Sequence, residues 1–80
     1  MRIDKYLKVS RLIKRRTIAQ EACDGGRVKI NTKPAKPGTD VKVDDVIEIQ
    51  FGEKSVKVKV LMIAEHVPKG DVSMLYEMQQ

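Results

Sequence analysis

Arginine and lysine are the side chains of this sequence whose number and spacing point to a function, and they are concentrated near its start. Residues 1–42 carry twelve Lys or Arg against four Asp or Glu, a balance of +8, whereas residues 43–80 carry four against seven, a balance of −3. Since the whole chain has a net charge of +5 and a pI near 9.5, a polyanion is the first partner to consider. The candidate phosphate-binding residues are Arg2, Lys5, Lys8, Arg11, Lys14, Arg15, Arg16 and Arg27.

The run Lys14-Arg15-Arg16 stands where a second helix is predicted to begin. Cations at a helix start oppose the helix dipole and cost up to about 1 kcal/mol each at low salt, so helix stability does not favour them. A bound anion would favour cations at this position, because the exposed N–H groups of a helix start and two guanidiniums can together donate hydrogen bonds to phosphate oxygens. Arg15 and Arg16 are therefore the most strongly indicated residues. The alternative is that one of them is structural, paired with Asp4 or Glu21.

Two short helices are predicted to position these cations. The first covers residues 2 to about 10: its apolar residues fall on one side at helical spacing, and Asp4 in the first turn suits the helix dipole. Lys5 and Lys8 then point away from the apolar side, which makes a cationic outer face; the alternative is an ordinary solvated surface.

The second predicted helix starts between Lys14 and Thr17 and runs to about Asp24. Thr17 and Gln20 have the spacing of a capping box, and the two glycines after Asp24 are a strong C-terminal stop.

From residue 27 the hydrophobic period changes from helical to alternating, which predicts strands. We expect strands at residues 27–31, 46–51 and 55–63, the last two forming a hairpin, with a short return at 33–36 in which Pro34 implies an edge position. The alternation resumes briefly at Val41 and Val43, and a final short strand is expected in the tail. Lys57 and Lys59 are expected on a solvated outer face.

The predicted fold class is therefore α+β, with two short N-terminal helices packed on a small, mainly antiparallel, twisted β-sheet. We expect a single domain over 1–80: a helical basic face (1–26), a β-portion (27–63) and a C-terminal segment (64–80). The expected apolar face that holds the helices is Ile3, Leu7, Ile18, Ala22, Val28, Ile30, Val46, Ile49, Val56 and Val58.

Other features of the sequence exclude several classes of protein. A single cysteine, Cys23, allows no internal disulfide and is expected to be a small buried thiol. The N-terminus lacks the apolar region of a signal peptide, and no run approaches the roughly 20 residues needed to span a bilayer. No P-loop, HExxH, GxSxG or CxxC motif occurs, and His66 is expected to be an ordinary loop residue. We expect a cytoplasmic protein that is not an enzyme, with no cofactor, metal or membrane partner.

The spaced residues Ile3-Asp4-Lys5-x-Leu7, Arg16, Ala19, Gly26, Val28, Ile30 and Asn31 resemble a known pattern, R-L-D-K-x-L … S-R-x-x-A … G-x-V-x-V-N-G. This is the pattern of the RNA-binding domain first seen in ribosomal small-subunit protein number four, also called the αL motif, and the resemblance spans residues 1 to about 51. It implies RNA binding by the two helices. The sequence departs from the pattern at Thr32 and Asp44, where glycine is usual. Both are turn positions, and a residue other than glycine costs something near 1 kcal/mol there if φ is positive.

A stand-alone copy this short, with the opening of residues 1–17, also resembles a narrower family, the small ribosome-associated quality control factors related to the fifteen-kilodalton heat-shock protein. That resemblance implies binding to large ribosomal subunits obstructed by a nascent chain on tRNA. The implied partners are large-subunit rRNA, peptidyl-site tRNA and a tailing factor that adds C-terminal residues, typically alanine. The absence of the heat-shock relative's basic C-terminal extension favours the quality-control branch. We expect a monomer in isolation that becomes ribosome-associated.

Three alternatives stay open. One is a heat-shock-type large-subunit recycling or ribosome assembly factor, the second is a DNA-binding regulatory protein that uses the same basic face, and the third is an RNA-targeting accessory of a separate enzyme. With only one phenylalanine and two tyrosines, stacking of single-stranded bases on aromatic platforms is not indicated. Folded RNA is expected to be recognised by shape and backbone, with a strong salt dependence.

Overall fold

Two short helices precede the sheet, close to the positions that the sequence predicts. In a computed structural model, which describes residues 1–79, α1 spans Ile3–Val9 and α2 spans Arg16–Asp24. The predicted glycine stop is confirmed: Gly25 caps the C-terminus of α2, and Gly26 has φ +75°, a conformation that glycine adopts without steric cost. The helices pack against each other and against one face of the sheet. Among residues 1–79, no helix is long and apolar enough to cross a membrane.

The sheet has five antiparallel strands: β1 Val28–Ile30, β2 Lys33–Pro34, β3 Val46–Phe51, β4 Lys54–Val60 and β5 Tyr76–Gln79. Their order in the sheet is β2-β1-β3-β4-β5. The predicted hairpin is β3–β4, which turns at Gly52. Pro34 lies in an edge strand as predicted, where its missing N–H costs no ladder hydrogen bond. The final strand is preceded by a 3-10 helix, Lys69–Met74.

The core lies between the helices and one face of the sheet. Cross-strand partners Val28 and Ile49, and Ile47 and Val58, present their side chains to the helices, so the sheet buries alternate residues along each strand. The expected buried thiol, Cys23, is part of this core, and burial raises its pKa to about 11. The buried apolar residues are Ile3, Tyr6, Leu7, Ile13, Ala19, Ala22, Cys23, Val28, Ala35, Val41, Ile47, Ile49, Val58, Val60 and Leu75.

The predicted apolar face is wrong at two positions, Ile18 and Val46. Ile18 is 46% exposed, because the buried side of α2 is formed by its alanines and cysteine. Val46 pairs with Lys59 on the other face of the sheet and is only half-buried, whereas its neighbour Ile47 is fully buried. The alternation at Val41 does not extend into a strand either; the structure has a single bridge there, between Arg2 and Asp40.

The start of α1 is held by the loop between β2 and β3. The backbone N–H of Ile3 donates to the carbonyl of Thr39 at 2.8 Å, and the N–H of Asp4 donates to Pro37 at 3.2 Å. The N-terminal ammonium donates to Asp40 at 2.8 Å. These contacts fix the direction in which α1 presents its exposed cations.

A buried hydrogen bond holds α1 to the C-terminal segment as well. The Tyr6 hydroxyl donates to the carbonyl oxygen of Leu75 at 2.7 Å, across 69 positions of the sequence. Burial raises the pKa of Tyr6 well above its usual value, so the hydroxyl stays protonated and keeps donating. Residues at both ends of the chain therefore position the first helix.

The two turn positions where glycine is usual in the family both have positive φ. Thr32 has φ +73° and Asp44 has φ +77°. For a β-branched residue such as threonine this is a genuine outlier, whereas aspartate tolerates the left-handed region better because its short side chain makes local hydrogen bonds. The strain at these turns is therefore larger at Thr32.

We expect Thr32→Gly to raise the free energy of unfolding by about 1 kcal/mol, and Asp44→Gly to raise it by less, because glycine removes the steric cost of positive φ. The exposed Asp44–Lys59 ion pair, at 3.7 Å, contributes little that would be lost. Urea denaturation at constant m-value measures both changes. The matched control is Gly52→Ala at φ +60°, which should destabilise; equal stability of all three variants would contradict this account.

Candidate nucleic-acid interface

The centre of the candidate interface is Asp4, a carboxylate with no exposed surface. Arg2 donates to both of its oxygens, with Nε at 3.2 Å from Oδ1 and Nη2 at 3.0 Å from Oδ2. Arg16 approaches from α2, with Nε at 3.3 Å from Oδ2 and Nη2 at 3.4 Å from Oδ1. The Gln20 amide and the Lys5 backbone N–H donate at 3.0 and 2.7 Å. One buried group thus joins the starts of both helices.

The environment of Asp4 keeps it ionised. Burial opposes ionisation of the carboxyl, but the hydrogen bonds from Gln20 and Arg16, with the backbone of Lys5 and the charge of Arg16, outweigh burial and hold the pKa of Asp4 below its usual value. Because the pKa is lower in the folded chain than in the unfolded one, Asp4 stabilises the fold at neutral pH. This contribution is lost as the pH falls below about 4, through the unfolded value and towards the folded one.

The two arginines that Asp4 holds remain available on their outer sides. The side chain of Arg2 is 54% exposed and that of Arg16 is 43% exposed, although their carboxylate partner is fully buried. A guanidinium has five N–H donors in a fixed plane, so contact with one carboxylate leaves others free for a phosphate. Of the two arginines in the Lys14-Arg15-Arg16 run, Arg16 therefore has the structural pairing with Asp4 that the sequence offered as an alternative. The exposed part of its guanidinium can still bind an anion.

The predicted capping box in α2 is wrong. The N-cap is Arg15, in an extended conformation, and the helix start has no side-chain cap; Thr17 lies inside the helix and the Gln20 side chain turns to Asp4 instead. The helix start next to Arg15 and Arg16 therefore keeps uncapped N–H groups, as a phosphate site requires.

The other predicted cations lie in three places. Lys8, Arg11 and Lys14 line a concavity of about 330 Å³ at the C-terminal end of α1 and the linker that follows it. Lys5 is held in an ion pair with Glu65, its Nζ 3.3 Å from Oε1. Arg27 is apart from these: it follows α2 and borders a depression of the sheet with Lys29, Glu48, Gln50 and Ser55. Seven of the eight candidates thus lie between the N-cap of α1 and the first residue of α2, and Arg27 lies beyond the opposite end of α2.

Arg11 occupies an unusual backbone conformation for its residue type. It follows Ser10, the C-cap of α1, and has φ +62°, a position that glycine usually fills. Non-glycine residues held in this region cost of order 1 kcal/mol or more and cluster at functional sites. An arginine here places a guanidinium at the concavity at the expense of stability.

Two lysines on the outer face of the sheet are paired with carboxylates. The Nζ of Lys57 lies 3.6 Å from Glu48 and that of Lys59 lies 3.7 Å from Asp44. In contrast, among residues 1–79 no ion pair involves Lys8, Arg11, Lys14 or Arg15. These four cations leave a local excess of unpaired positive charge around the helices.

The sequence analysis assigned Asp4 to the helix dipole and, as an alternative, to a pair with Arg15 or Arg16, and it assigned Gln20 to a cap. It did not predict that Asp4 is buried or that Arg2 and Gln20 also bind it. One signal was available for Asp4: it precedes Leu7 by three positions and follows Ile3, so it lies towards the buried side of α1, where a carboxylate requires partners. The partners themselves are distant in sequence.

We expect Asp4→Asn to weaken binding to a structured RNA about tenfold, because Arg2 and Arg16 lose the charge that orients them. Net charge alone predicts tighter RNA binding instead, since the substitution raises the net charge of the chain by one. Filter binding at fixed salt decides between them. The matched control is Glu21→Gln on the exposed side of α2, which makes the same charge change away from the two arginines.

Unfolding is monitored in parallel, and Gln20→Ala serves as a second variant that removes one donor to Asp4 with no change of charge. Tighter RNA binding by folded Asp4→Asn would overturn the orienting role of Asp4.

Comparison with known proteins agrees with the resemblance seen in the sequence. The S4 domain family matches residues 1–47. The chain is 54% identical over 77 residues to the RQC P-site tRNA stabilizing factor of Streptococcus pneumoniae, covering 96% of this chain and 88% of that relative. It is 51% identical over 80 residues to the factor of the same name from Halalkalibacterium halodurans, covering 100% and 91%.

Among solved structures, the trimeric structure of Vibrio cholerae heat shock protein 15 matches with a TM-score of 0.91 at 26% identity, covering 99% of this chain and 81% of that chain. The antiparallel sheet with two N-terminal helices is thus a known arrangement. The chain belongs to the S4 domain family and, within it, to the family of the RQC P-site tRNA stabilizing factors.

Proposed function

We propose that this chain is a non-catalytic RNA-binding factor of ribosome-associated quality control. It binds large ribosomal subunits obstructed by a nascent chain on tRNA, contacts large-subunit rRNA and peptidyl-site tRNA, and supports C-terminal tailing, typically with alanine, by a separate factor. The observation that carries this proposal is the pair Arg2 and Arg16, held half-exposed on buried Asp4 next to four cations, Lys8, Arg11, Lys14 and Arg15, that form no ion pair among residues 1–79. The names of the relatives, P-site tRNA stabilizing factors, support the ribosomal setting.

The geometry fits recognition of a folded RNA by its backbone. The two guanidiniums and the uncapped backbone N–H groups at the start of α2 can donate hydrogen bonds to phosphates. Lys8, Arg11 and Lys14 extend this positive surface around the concavity that they line. The tyrosine of α1 offers no stacking surface at this face, since Tyr6 is buried in the core. Shape and charge complementarity therefore carry the affinity.

The groups with catalytic potential have structural roles. Asp4 is occupied by two arginines, the Tyr6 hydroxyl donates to a backbone carbonyl, and the Cys23 thiol is buried with a raised pKa that disfavours the reactive thiolate. These occupied groups support a factor that positions RNA rather than one that transforms it. We further propose that the isolated chain is a monomer in the cytoplasm and joins the ribosome by these contacts.

The decisive experiment is to purify the tagged chain gently from its own host and to identify the RNA and proteins that accompany it. We expect large-subunit rRNA together with tRNA and a tailing factor, and loss of all three in Arg16→Ala. Arg16→Lys keeps the charge but not the planar fork, so it should recover only part of the association. Lys54→Ala, an exposed lysine at the hairpin turn, is the matched control for charge.

Each other result has a defined meaning. Large-subunit rRNA without tRNA indicates recycling or assembly of the subunit, and recovery of DNA indicates a DNA-binding regulator. A stable modifying enzyme among the proteins indicates an RNA-targeting accessory. Unchanged ribosome association of Arg16→Ala at near-physiological salt would show that the site assignment is wrong.

Arg11 offers a test in which stability and binding change in opposite directions. We expect Arg11→Gly to raise the free energy of unfolding by roughly 0.5–1 kcal/mol, because it relieves positive φ, while it weakens RNA binding. If Arg11 contacts one phosphate, the slope of log K against log salt should fall by about 1. Urea denaturation and a salt titration measure the two effects.

Arg11→Asn is the companion variant, since asparagine also tolerates positive φ and lacks the charge. Unaltered RNA affinity in both variants would exclude Arg11 from the interface.

A further inference from the structure

A second concavity, of about 260 Å³, lies between the C-terminal half of α1 and the segment that follows β4. It is built by residues far apart in sequence and differs in chemistry from the purely cationic surface beside it. Its lining residues are Lys8, Val9, Arg11, Glu65, His66 and Val67. We refer to it below as the Glu65 cleft.

The wall that carries Glu65 is anchored to the core. Ile63, Ala64 and Val67 are partly buried against the hydrophobic core, so the segment packs on the domain on both sides of Glu65 and His66. The ion pair between Lys5 and Glu65 also links this wall to α1, with Nζ 3.3 Å from Oε1. The cleft is therefore formed before any ligand arrives, which lowers the entropic cost of binding.

The groups in the cleft suit a nucleotide better than a bare anion. On the α1 side of the cleft, Lys8 and Arg11 offer positive charge to a phosphate, whereas the exposed Glu65 carboxylate on the opposite wall repels one. Val9 and Val67 offer apolar surface, and the imidazole of His66 is a ring on which a base can stack. A nucleotide with its phosphate against Lys8 and Arg11 and its base against Glu65 and His66 matches each of these groups.

The Glu65 carboxylate selects among the bases. A carboxylate has two oxygens and about four acceptor positions, so the single contact with Lys5 leaves capacity for further donors. Guanine presents adjacent N1–H and N2–H donors on its Watson–Crick edge, which a carboxylate accepts in parallel. Adenine presents an acceptor at the equivalent ring nitrogen, which a carboxylate repels.

The cleft also continues the candidate RNA interface. Lys8 and Arg11 border both the Glu65 cleft and the cationic concavity that Lys14 completes. A backbone that follows the cationic concavity thus passes the mouth of the cleft. We propose that the Glu65 cleft takes one unpaired guanosine nucleotide, turned out of the RNA that the cationic face holds. This proposal rests on the proposed RNA-binding function and adds to it a base preference.

The first test uses the isolated chain and guanosine 5′-monophosphate, so it does not depend on any RNA or ribosome. We expect the His66 ring and the Val9 and Val67 methyl resonances to shift in NMR titrations, with binding about tenfold weaker for adenosine 5′-monophosphate. Glu65→Gln should lose this preference for guanosine. Glu77→Gln, an exposed carboxylate on β5, makes the same charge change outside the cleft and should keep it.

The second test uses two RNA hairpins that differ only in one bulged nucleotide, guanosine or adenosine. The unaltered chain should prefer the bulged guanosine about tenfold, and Glu65→Gln and His66→Ala should bind both hairpins alike. Charge alone predicts that Glu65→Gln binds both hairpins more tightly, since it removes a negative charge.

The outcomes separate this proposal from the proposed function. Binding of both hairpins with no preference and no monophosphate shifts at the cleft would overturn the guanosine site and leave RNA binding intact. Failure to bind any structured RNA would overturn the proposed function, and the monophosphate titration would then decide the cleft by itself. Equal NMR shifts with guanosine and adenosine 5′-monophosphate would show that the cleft binds the phosphate and does not distinguish the base, which would overturn the guanosine preference.

Discussion

An ionised carboxylate buried away from water must be paired, and in this chain that requirement determines how the two helices meet. Moving a lone carboxylate into the interior costs several kcal/mol, which partners with positive charge and hydrogen bonds offset. Asp4 obtains them from Arg2 before α1 and from Arg16 at the start of α2. Because both guanidiniums are half-exposed, the contact that satisfies the interior also fixes two donors at the surface. Stability of the helix pair and geometry of the interface are thus two results of one interaction.

The distribution of ion pairs explains how a chain with a net charge of only +5 presents a strongly positive side. On the outer face of the sheet, Lys57 and Lys59 lie next to Glu48 and Asp44, so the fields of these two pairs largely cancel. On the helical side, Lys8, Arg11 and Lys14 line one concavity, and their field is limited only by screening from water and salt. Residues 43–80, with a charge balance of −3, thus support a first half whose balance is +8.

Local signals in the sequence were sufficient for the elements and insufficient for their mutual contacts. Helical spacing, alternation and the Gly25-Gly26 stop predicted two helices and most strands, and the missing glycines at Thr32 and Asp44 marked real positions of positive φ. Two partners of Asp4 lie 12 and 16 positions away in α2; the sequence offered a pair with Arg15 or Arg16 only as an alternative, because no local pattern decides which side chains meet across that distance. For the same reason Gln20 was assigned to a cap. Likewise, only the packing of residues 61–67 beside α1 brings His66, an exposed loop residue as expected, to the same cleft as Lys8 and Arg11.

The second half of the chain does more than close the sheet. The S4 domain match ends at residue 47, yet α1 depends on residues beyond it: Tyr6 donates to Leu75 and Lys5 pairs with Glu65. These contacts fix α1 to the C-terminal half of the chain, and the packing of residues 61–67 places Glu65 and His66 next to Lys8 and Arg11. Phosphate contacts carry no sequence information, whereas base contacts do. With the proposed guanosine site, these two tasks are carried out by different parts of the chain, so changes in residues 61–67 should alter the preferred nucleotide while the Asp4 pairing continues to orient Arg2 and Arg16.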